Sequence, residues 1–239
     1  MNPFFLVHGA WAGRHVWQPL IDVLAANGYA ATAIDLPAHG DDPTPTAAAS
    51  LDGYARAVID HLPADPVVLV GHSLGGIVIS RVAELAPERI ARLVYIAGYL
   101  PQPGETMVNL SQQDAESRLG TSLAMTADFG LMTIRTDAIA DVLCQDGSAA
   151  VRQMLLDTHR PEPVAPLLTP IALTPERFGS VPVYYLETLH DQAVGLALQR
   201  RMIERHGHVK AVLSVPTGHY ALLTKPELVA ELLAMVANA

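Results

Sequence analysis

The five residues Gly71-His72-Ser73-Leu74-Gly75 are the part of the sequence best suited to covalent chemistry, because they fit the pattern G-x-S-x-G. In that pattern the serine stands on a sharp turn between a strand and a helix, and its hydroxyl projects clear of the backbone. The glycines allow the strained turn and let the helix pack closely on the strand. Taken alone, a serine between glycines marks an ordinary turn more often than a nucleophile.

The flanking sequence favours the nucleophile. Residues 66–70 are an apolar, β-branched run bounded by proline and glycine, which is typical of a short buried strand. Apolar residues then recur at helical spacing, and Pro87 stands just beyond them. We therefore predict that Ser73 is an activated serine at a strand-to-helix turn.

A serine hydroxyl is a weak nucleophile at neutral pH and needs a base, usually a histidine that a carboxylate holds in place. In folds with this motif the order along the chain is serine, acid, histidine. His219 follows the last predicted strand, and Asp191 follows the strand before it. We predict the triad Ser73, Asp191 and His219. Glu187 is the fallback acid, and Asp35 is expected to stabilise its own loop.

Acyl transfer also requires hydrogen-bond donors for the oxyanion that develops on the substrate. The backbone N–H of Leu74, directly after the nucleophile, is one predicted donor. The N–H of Ala10 is the other, because Gly9 lets the backbone approach closely after the first strand. Trp11 and His72 are predicted to line the substrate site, and for His72 a purely structural hydrogen-bonding role is the alternative.

Strands and helices alternate through most of the chain, which predicts an α/β fold with a mainly parallel sheet and helices on both faces. Ligands bind such sheets at the carboxyl ends of the strands, where the predicted site residues fall. The predicted strands are residues 4–7, 30–34, 66–70, 93–97, 183–186 and 211–215.

The alternation stops between residues 101 and 180. This stretch contains seven of the 18 prolines and four of the seven methionines, with short helical patterns at 111–119, 137–144 and 149–156. We predict an α/β core of residues 1–100 and 181–239, and a mainly helical lid of residues 101–180 inserted into it. Its methionines either form an adaptable pocket wall or fill the core of the lid itself.

The composition excludes several classes of protein. At 239 residues with 50% hydrophobic and 16% charged residues, the chain is neither disordered nor fibrous. A net charge of −9 argues against nucleic acid or an anionic membrane as partner. The single cysteine, Cys144, excludes an internal disulfide and is expected to be a small buried residue. No signal-like or membrane-spanning run is recognised, so a cytoplasmic location is expected.

These motifs resemble the α/β-hydrolase superfamily, and more narrowly the plant methylesterases, the hydroxynitrile lyases and their bacterial relatives. The resemblance is carried by His8–Gly13 with Trp17, Asp35–Gly40, Gly71–Gly76, Asp191 and Gly218-His219. It implies an α/β-hydrolase fold, the triad and oxyanion donors named above, and neither metal nor cofactor. The lyases of this group have threonine where this chain has Gly9 and lysine where it has Tyr220, so the resemblance favours ester hydrolysis.

We therefore predict a serine carboxylesterase that cleaves small, apolar or aromatic esters through an acyl-enzyme. The alternatives are a hydroxynitrile lyase that uses the same triad as a base, a small-ligand receptor on a hydrolase fold, and an editing thioesterase. The expected partner is a small ester, and a homodimer is left open.

Overall fold

The computed structural model of the chain describes residues 2–239. Six strands form one sheet in the order β2-β1-β3-β4-β8-β9, and every neighbouring pair in it is parallel. The strands are β1 (Phe4–Val7), β2 (Ala31–Ile34), β3 (Val67–His72), β4 (Ile90–Ile96), β8 (Val183–Thr188) and β9 (Val209–Val215).

Helices cover both faces of this sheet, as predicted. The connection from β1 to β2 runs in the opposite direction across the sheet to the connection from β3 to β4. Since such crossovers are right-handed, their helices must lie on opposite faces. Accordingly, α1 packs against α10, whereas α2 packs against α3. These helices and α8 are α1 (Gln18–Ala26), α2 (Leu51–His61), α3 (Gly75–Leu85), α8 (Leu196–His206) and α10 (Pro226–Ala237).

The strands nearest the predicted nucleophile are buried because both sheet faces are covered. All residues of β1 and β3 are buried, which explains their continuous apolar sequences. The edge strand β9 instead alternates between half-buried and exposed positions. Helix α2 begins at Ser50, whose hydroxyl accepts a hydrogen bond from the Gly53 N–H at 3.1 Å. No helix among residues 2–239 is long and apolar enough to cross a membrane.

The segment between the adjacent strands β4 and β8 differs from the sequence prediction. Besides four short helices it contains a three-stranded antiparallel sheet, which the sequence analysis did not predict. We call residues 101–180 the inserted segment, and strands β5, β6 and β7 the small sheet. Its elements are α4 (Met107–Ser111), β5 (Leu123–Met125), β6 (Leu131–Ile134), α5 (Ile139–Leu143), α6 (Ala149–Thr158), β7 (Glu162–Pro163) and α7 (Val164–Leu168).

The helix predicted over residues 111–119 was wrong. Thr106 accepts a hydrogen bond from the Asn109 N–H at 2.9 Å and so starts α4 four residues earlier. Asp114 then accepts hydrogen bonds from the N–H groups of Glu116 and Ser117, a local turn that competes with a helix. The helical patterns at 137–144 and 149–156 correspond to α5 and α6. One further short helix, α9 (Ala221–Thr224), follows β9.

Candidate active site

Ser73 lies at the turn between β3 and α3, where its backbone φ is +55°. A left-handed conformation is costly for any residue other than glycine, so surrounding packing must hold it. Gly71 allows that packing, because a Cβ there would lie 2.5 Å from the Gly75 carbonyl oxygen. Within the described residues the Ser73 hydroxyl makes no hydrogen bond, and the residue is 6% exposed.

Asp191 and His219 meet in the structure although 28 residues separate them. They stand in the loops after β8 and β9, which are neighbours in the sheet. The Nδ1 of His219 lies 2.8 Å from Oδ2 of Asp191, and both side chains are buried. Since a carboxylate only accepts hydrogen bonds, Nδ1 carries the proton and Nε2 is left as the basic atom.

The Asp191 carboxylate is itself held by three further hydrogen bonds. Its Oδ1 accepts from the N–H groups of Ala193 and Val194, each at 2.8 Å, and its Oδ2 accepts from the Thr188 hydroxyl at 2.7 Å. Such a network fixes the orientation of the histidine as well as that of the acid. Glu187, the fallback acid, instead pairs with Arg200 at 2.9 Å and lies away from His219.

Ala10 and Leu74 follow β1 and β3, which are neighbours in the sheet. Neither of their backbone N–H groups donates a hydrogen bond to another described residue, although both residues are buried. Buried N–H groups normally have partners, so two free donors beside a serine suit an oxyanion. Gly9 is required between them, because a Cβ there would lie 2.8 Å from the Ser73 Cβ.

Two histidines near the predicted site, His8 and His72, are hydrogen-bonded to backbone groups. His8 donates from Nδ1 to the Gly9 carbonyl and accepts from the Leu36 N–H at Nε2. Burial lowers the pKa of His8 to about 3, helped by His39, so it is neutral. His72 is fully buried, and its Nε2 lies 3.0 Å from the His219 carbonyl oxygen. His72 is not part of the cavity wall described below; its ring packs against those of His219 and Tyr220.

A cavity of ≈ 230 Å³ lies where the loops after β1 and β4 meet the inserted segment. Trp11, which follows Ala10, lines it, and so does Tyr99, whose N–H donates to the Ser73 carbonyl at 3.1 Å. Ser73 itself is not part of the wall. Most of the wall is apolar and comes from the inserted segment, including Met107, Val108, Leu119, Leu123, Met132 and Leu167.

The inserted segment also binds three of the loops that present the site residues. Gln145 donates to the His190 carbonyl at 2.6 Å, beside Asp191. Asp146 accepts from the Gly218 N–H at 2.9 Å, beside His219. Glu162 accepts from the Trp11 N–H at 3.0 Å, beside Ala10. The sequence analysis missed all three, because each is a single polar residue without a motif.

The remaining polar predictions concern Asp35 and Cys144. Asp35 accepts hydrogen bonds from the N–H groups of Arg14 and Asp41, at 2.6 and 3.1 Å, and so stabilises its own loop as predicted. Cys144 is fully buried, and burial raises the pKa of its thiol to about 12, which makes it unreactive at neutral pH. Among residues 2–239 no group of three or more acidic, histidine or cysteine side chains is arranged to hold a metal ion.

Comparison with known proteins assigns the chain to a family. Residues 4–232 match the alpha/beta hydrolase family. The chain is 29% identical over 250 residues to the putative chloroplastic methylesterase 11 of Arabidopsis thaliana, covering 99% of this chain but 64% of that protein. It is 28% identical over 263 residues to the alpha-hydroxynitrile lyase of the same plant, covering 98% of this chain and 96% of the lyase.

The crystal structure of a pyrethroid hydrolase from Sphingobium faniae superposes with a TM-score of 0.87 at 26% identity. The match covers 100% of this chain and 98% of that one. The chain therefore spans nearly all of this solved structure, but less than two thirds of the Arabidopsis methylesterase.

Proposed function

The chain belongs to the alpha/beta hydrolase family, and on that premise we propose that it is a serine carboxylesterase acting on small, apolar or aromatic esters. The observation that carries the proposal is the hydrogen-bonded pair of Asp191 and His219, which stands at the same edge of the sheet as the strained Ser73 and the two unpartnered N–H groups. That arrangement contains the nucleophile, base and oxyanion donors that acyl transfer needs.

In the proposed first half-reaction, the Ser73 hydroxyl attacks the ester carbonyl carbon while Nε2 of His219 takes its proton. The carbonyl π bond opens and its oxygen becomes an oxyanion, which the N–H groups of Ala10 and Leu74 stabilise. Asp191 stabilises the positive charge that forms on His219. The C–O bond to the alcohol then breaks, and His219 protonates the departing alkoxide.

The second half-reaction releases the acid. Water attacks the acyl-enzyme while His219 takes one of its protons, and a second oxyanion forms in the same place. The bond to Ser73 then breaks, and His219 returns a proton to the serine oxygen. The carboxylic acid leaves, and the enzyme has its original protonation state.

The apolar cavity supports a small, apolar acyl or alcohol group in the substrate. Its volume of ≈ 230 Å³ and its methionine and leucine side chains suit hydrocarbon and not a charged group. The Arabidopsis methylesterase and the Sphingobium pyrethroid hydrolase, named for ester chemistry, agree with this class of substrate.

The similarity to an alpha-hydroxynitrile lyase makes cyanohydrin cleavage the second candidate. Two positions weigh against it. A side chain at Gly9 would collide with Ser73, and Tyr220 is buried against His72 with a ring-to-ring distance of 4.8 Å. Burial raises the pKa of the Tyr220 hydroxyl above its ordinary value, so it stays neutral and offers no positive charge to a departing cyanide.

The test is Ser73→Ala, assayed on a panel of p-nitrophenyl esters that vary in acyl size, with mandelonitrile as a separate arm. We expect Ser73→Ala to turn over the esters about 10⁶-fold more slowly than the wild type, as in other triads whose members act as a unit. Near-normal ester hydrolysis by Ser73→Ala would refute the proposal. Mandelonitrile cleavage without ester hydrolysis would instead establish the lyase, and tight binding of a small acid without turnover would establish a receptor.

A further inference from the structure

Trp11 has a strained backbone at the place where the oxyanion loop turns away from the sheet. Its φ is +61°, in the left-handed region that a large side chain adopts only when its surroundings enforce it. Ala10, one of the two proposed oxyanion donors, directly precedes it. Whatever holds Trp11 also fixes the peptide plane between Ala10 and Trp11, and so limits the conformations in which the chain can present the Ala10 N–H.

Four residues of the inserted segment contact Trp11. The Trp11 N–H donates to Oε2 of Glu162 at 3.0 Å, and its carbonyl accepts from the Arg160 N–H at 3.2 Å. Its indole N–H donates to the Met132 carbonyl at 2.9 Å, and its ring stacks on His159 with the planes 15° apart. Met132 and Glu162 both belong to the small sheet.

Glu162 is unusual because it is a fully buried carboxylate. Its Oε2 also lies 2.8 Å from Nε2 of His39, and Nδ1 of His39 lies 3.0 Å from the Pro37 carbonyl. Because both nitrogens face acceptors, the doubly protonated imidazolium satisfies both. Burial disfavours that charge, but Glu162 outweighs burial and raises the pKa of His39. A buried ion pair of this kind fixes geometry more than it adds stability.

We propose that the small sheet sets the position of the oxyanion hole through Trp11, with Glu162 as the positioning residue. The inference rests on the proposed function, since it assigns the Ala10 N–H to the oxyanion. Glu162 touches no reacting atom. It acts by keeping Trp11 left-handed, which aims the preceding N–H at the place where negative charge develops.

The experiment compares Glu162→Met with Glu162→Gln. Both keep the volume of the side chain, but only glutamine keeps a carbonyl oxygen that can accept the Trp11 N–H. With a p-nitrophenyl ester, we expect Glu162→Met to lower kcat by about 10- to 100-fold with KM nearly unchanged, because displacement of one donor weakens the transition state and not substrate binding. Glu162→Gln should recover most of kcat.

Three measurements separate positioning from a general loss of structure. Titration of Ser73 with a fluorophosphonate counts the competent sites, so kcat is expressed per folded molecule. The inhibition constant of a boronic acid, which forms a tetrahedral adduct with the serine, should rise by the factor by which kcat/KM falls. Glu84→Gln is the matched stability control, because buried Glu84 accepts from the Thr174 N–H at 2.8 Å and fastens the far end of the inserted segment. It should lower the melting temperature and leave kcat unchanged.

A second pair decides the matter if Glu162→Met does not fold. Arg160→Pro and Arg160→Ala both lose the guanidinium, which binds the Asp157 and His159 carbonyls, but only Arg160→Pro also loses the N–H that binds the Trp11 carbonyl. The substitution suits the backbone there, since His159 is already extended with φ −58° and ψ 134°, and Pro161 follows. Arg160→Ala keeps that N–H. We expect kcat about threefold to tenfold lower in Arg160→Pro than in Arg160→Ala, as a smaller displacement of the same donor.

Equal kcat within each pair would overturn the positioning role, and so would a loss of kcat that the boronic acid does not follow. The proposed function fails on a different observation, the absence of ester hydrolysis by the wild type. In that event the rate at which the fluorophosphonate labels Ser73 still tests the inference, because its phosphoryl oxygen occupies the same hole. Equal labelling rates in both pairs would then refute it.

Discussion

The six-stranded sheet contributes all the proposed catalytic groups, whereas the inserted segment contributes none of them and yet binds three of the loops that present them. Ser73 and Asp191 follow the largely buried strands β3 and β8, and His219 follows the edge strand β9, which pairs with β8. Gln145, Asp146 and Glu162 reach those loops through single hydrogen bonds from outside the sheet.

The difference shows how precision is divided in this fold. A parallel sheet places the ends of its strands accurately, but the loops beyond those ends have no pairing partner of their own. Polar groups on a separate segment supply that partner. The same segment also forms the apolar cavity wall, so one piece of chain shapes the substrate pocket and steadies the catalytic loops.

The largest effect is expected from the sheet. Asp191→Asn keeps the size of the side chain but can present an amide N–H to His219, which favours the wrong tautomer. We expect kcat to fall by about 10⁴-fold while the fold is retained. Ester kinetics and circular dichroism would check this, with Glu187→Gln as control, because Glu187 lies on β8, which leads to Asp191, but binds Arg200 of α8 and not His219. An equal loss in both variants would contradict the assignment of the acid.

A smaller effect, on selectivity, is expected from the inserted segment. Met107 is 5% exposed and lines the cavity, so Met107→Ala enlarges it. We expect the kcat/KM ratio of a benzoate to an acetate ester to change in favour of the benzoate by about tenfold, the size of effect that a few methylene contacts produce. Met125→Ala is the control in the same segment, since Met125 is 46% exposed and outside the cavity. The same change in both variants would mean that the cavity does not bind the acyl group.

The smallest effects are expected in how the free energy of unfolding depends on pH. One comes from a histidine that follows a strand of the six-stranded sheet, and the other from a histidine that contacts the inserted segment. Burial lowers the pKa of His8, the residue after β1, to about 3. At pH values between about 3 and 6.5 the unfolded chain therefore binds a proton at this histidine and the folded protein does not. Its contribution is present above pH 6.5 and is lost as the pH falls towards 3. Each pH unit in that window costs about 1.4 kcal/mol in the free energy of unfolding.

His39, which contacts Glu162 of the inserted segment, makes the free energy of unfolding depend on pH in the opposite direction. Burial lowers its pKa, but Glu162, together with the Pro37 carbonyl and Asp35, raises it above the ordinary value. Its titratable neighbours besides Glu162 are His8, Tyr54, Asp35 and Asp42. Its contribution is present below pH 6.5 and is lost as the pH rises through the raised pKa. Denaturant unfolding from pH 4 to 9 should therefore show a decline on both sides. His39→Gln should remove the alkaline decline only, and persistence of that decline would contradict the ion pair.

The sheet and its site could be predicted because their signals are local. The strands of the sheet are continuous apolar runs, the helices show helical spacing, and Gly71 to Gly75 is a motif in five consecutive residues. The small sheet could not be predicted, since β5 and β7 are only three and two residues long and β7 contains Pro163, a residue type that argues against a strand. The helix expected at 111–119 failed because capping by Thr106 and the turn at Asp114 outweighed periodicity.

The sequence by itself determined the fold class, the order along the chain of the loops that follow the strands, and which serine, acid and histidine are the candidates for the site. These depend on residue type and short-range pattern. Only the tertiary structure decided that His72 is buried against His219 and Tyr220, that Trp11 is held left-handed, and that Glu162 meets His39 across 123 residues. Such contacts follow from how the inserted segment packs on the sheet, and no spacing along the chain encodes which buried polar groups will then face one another.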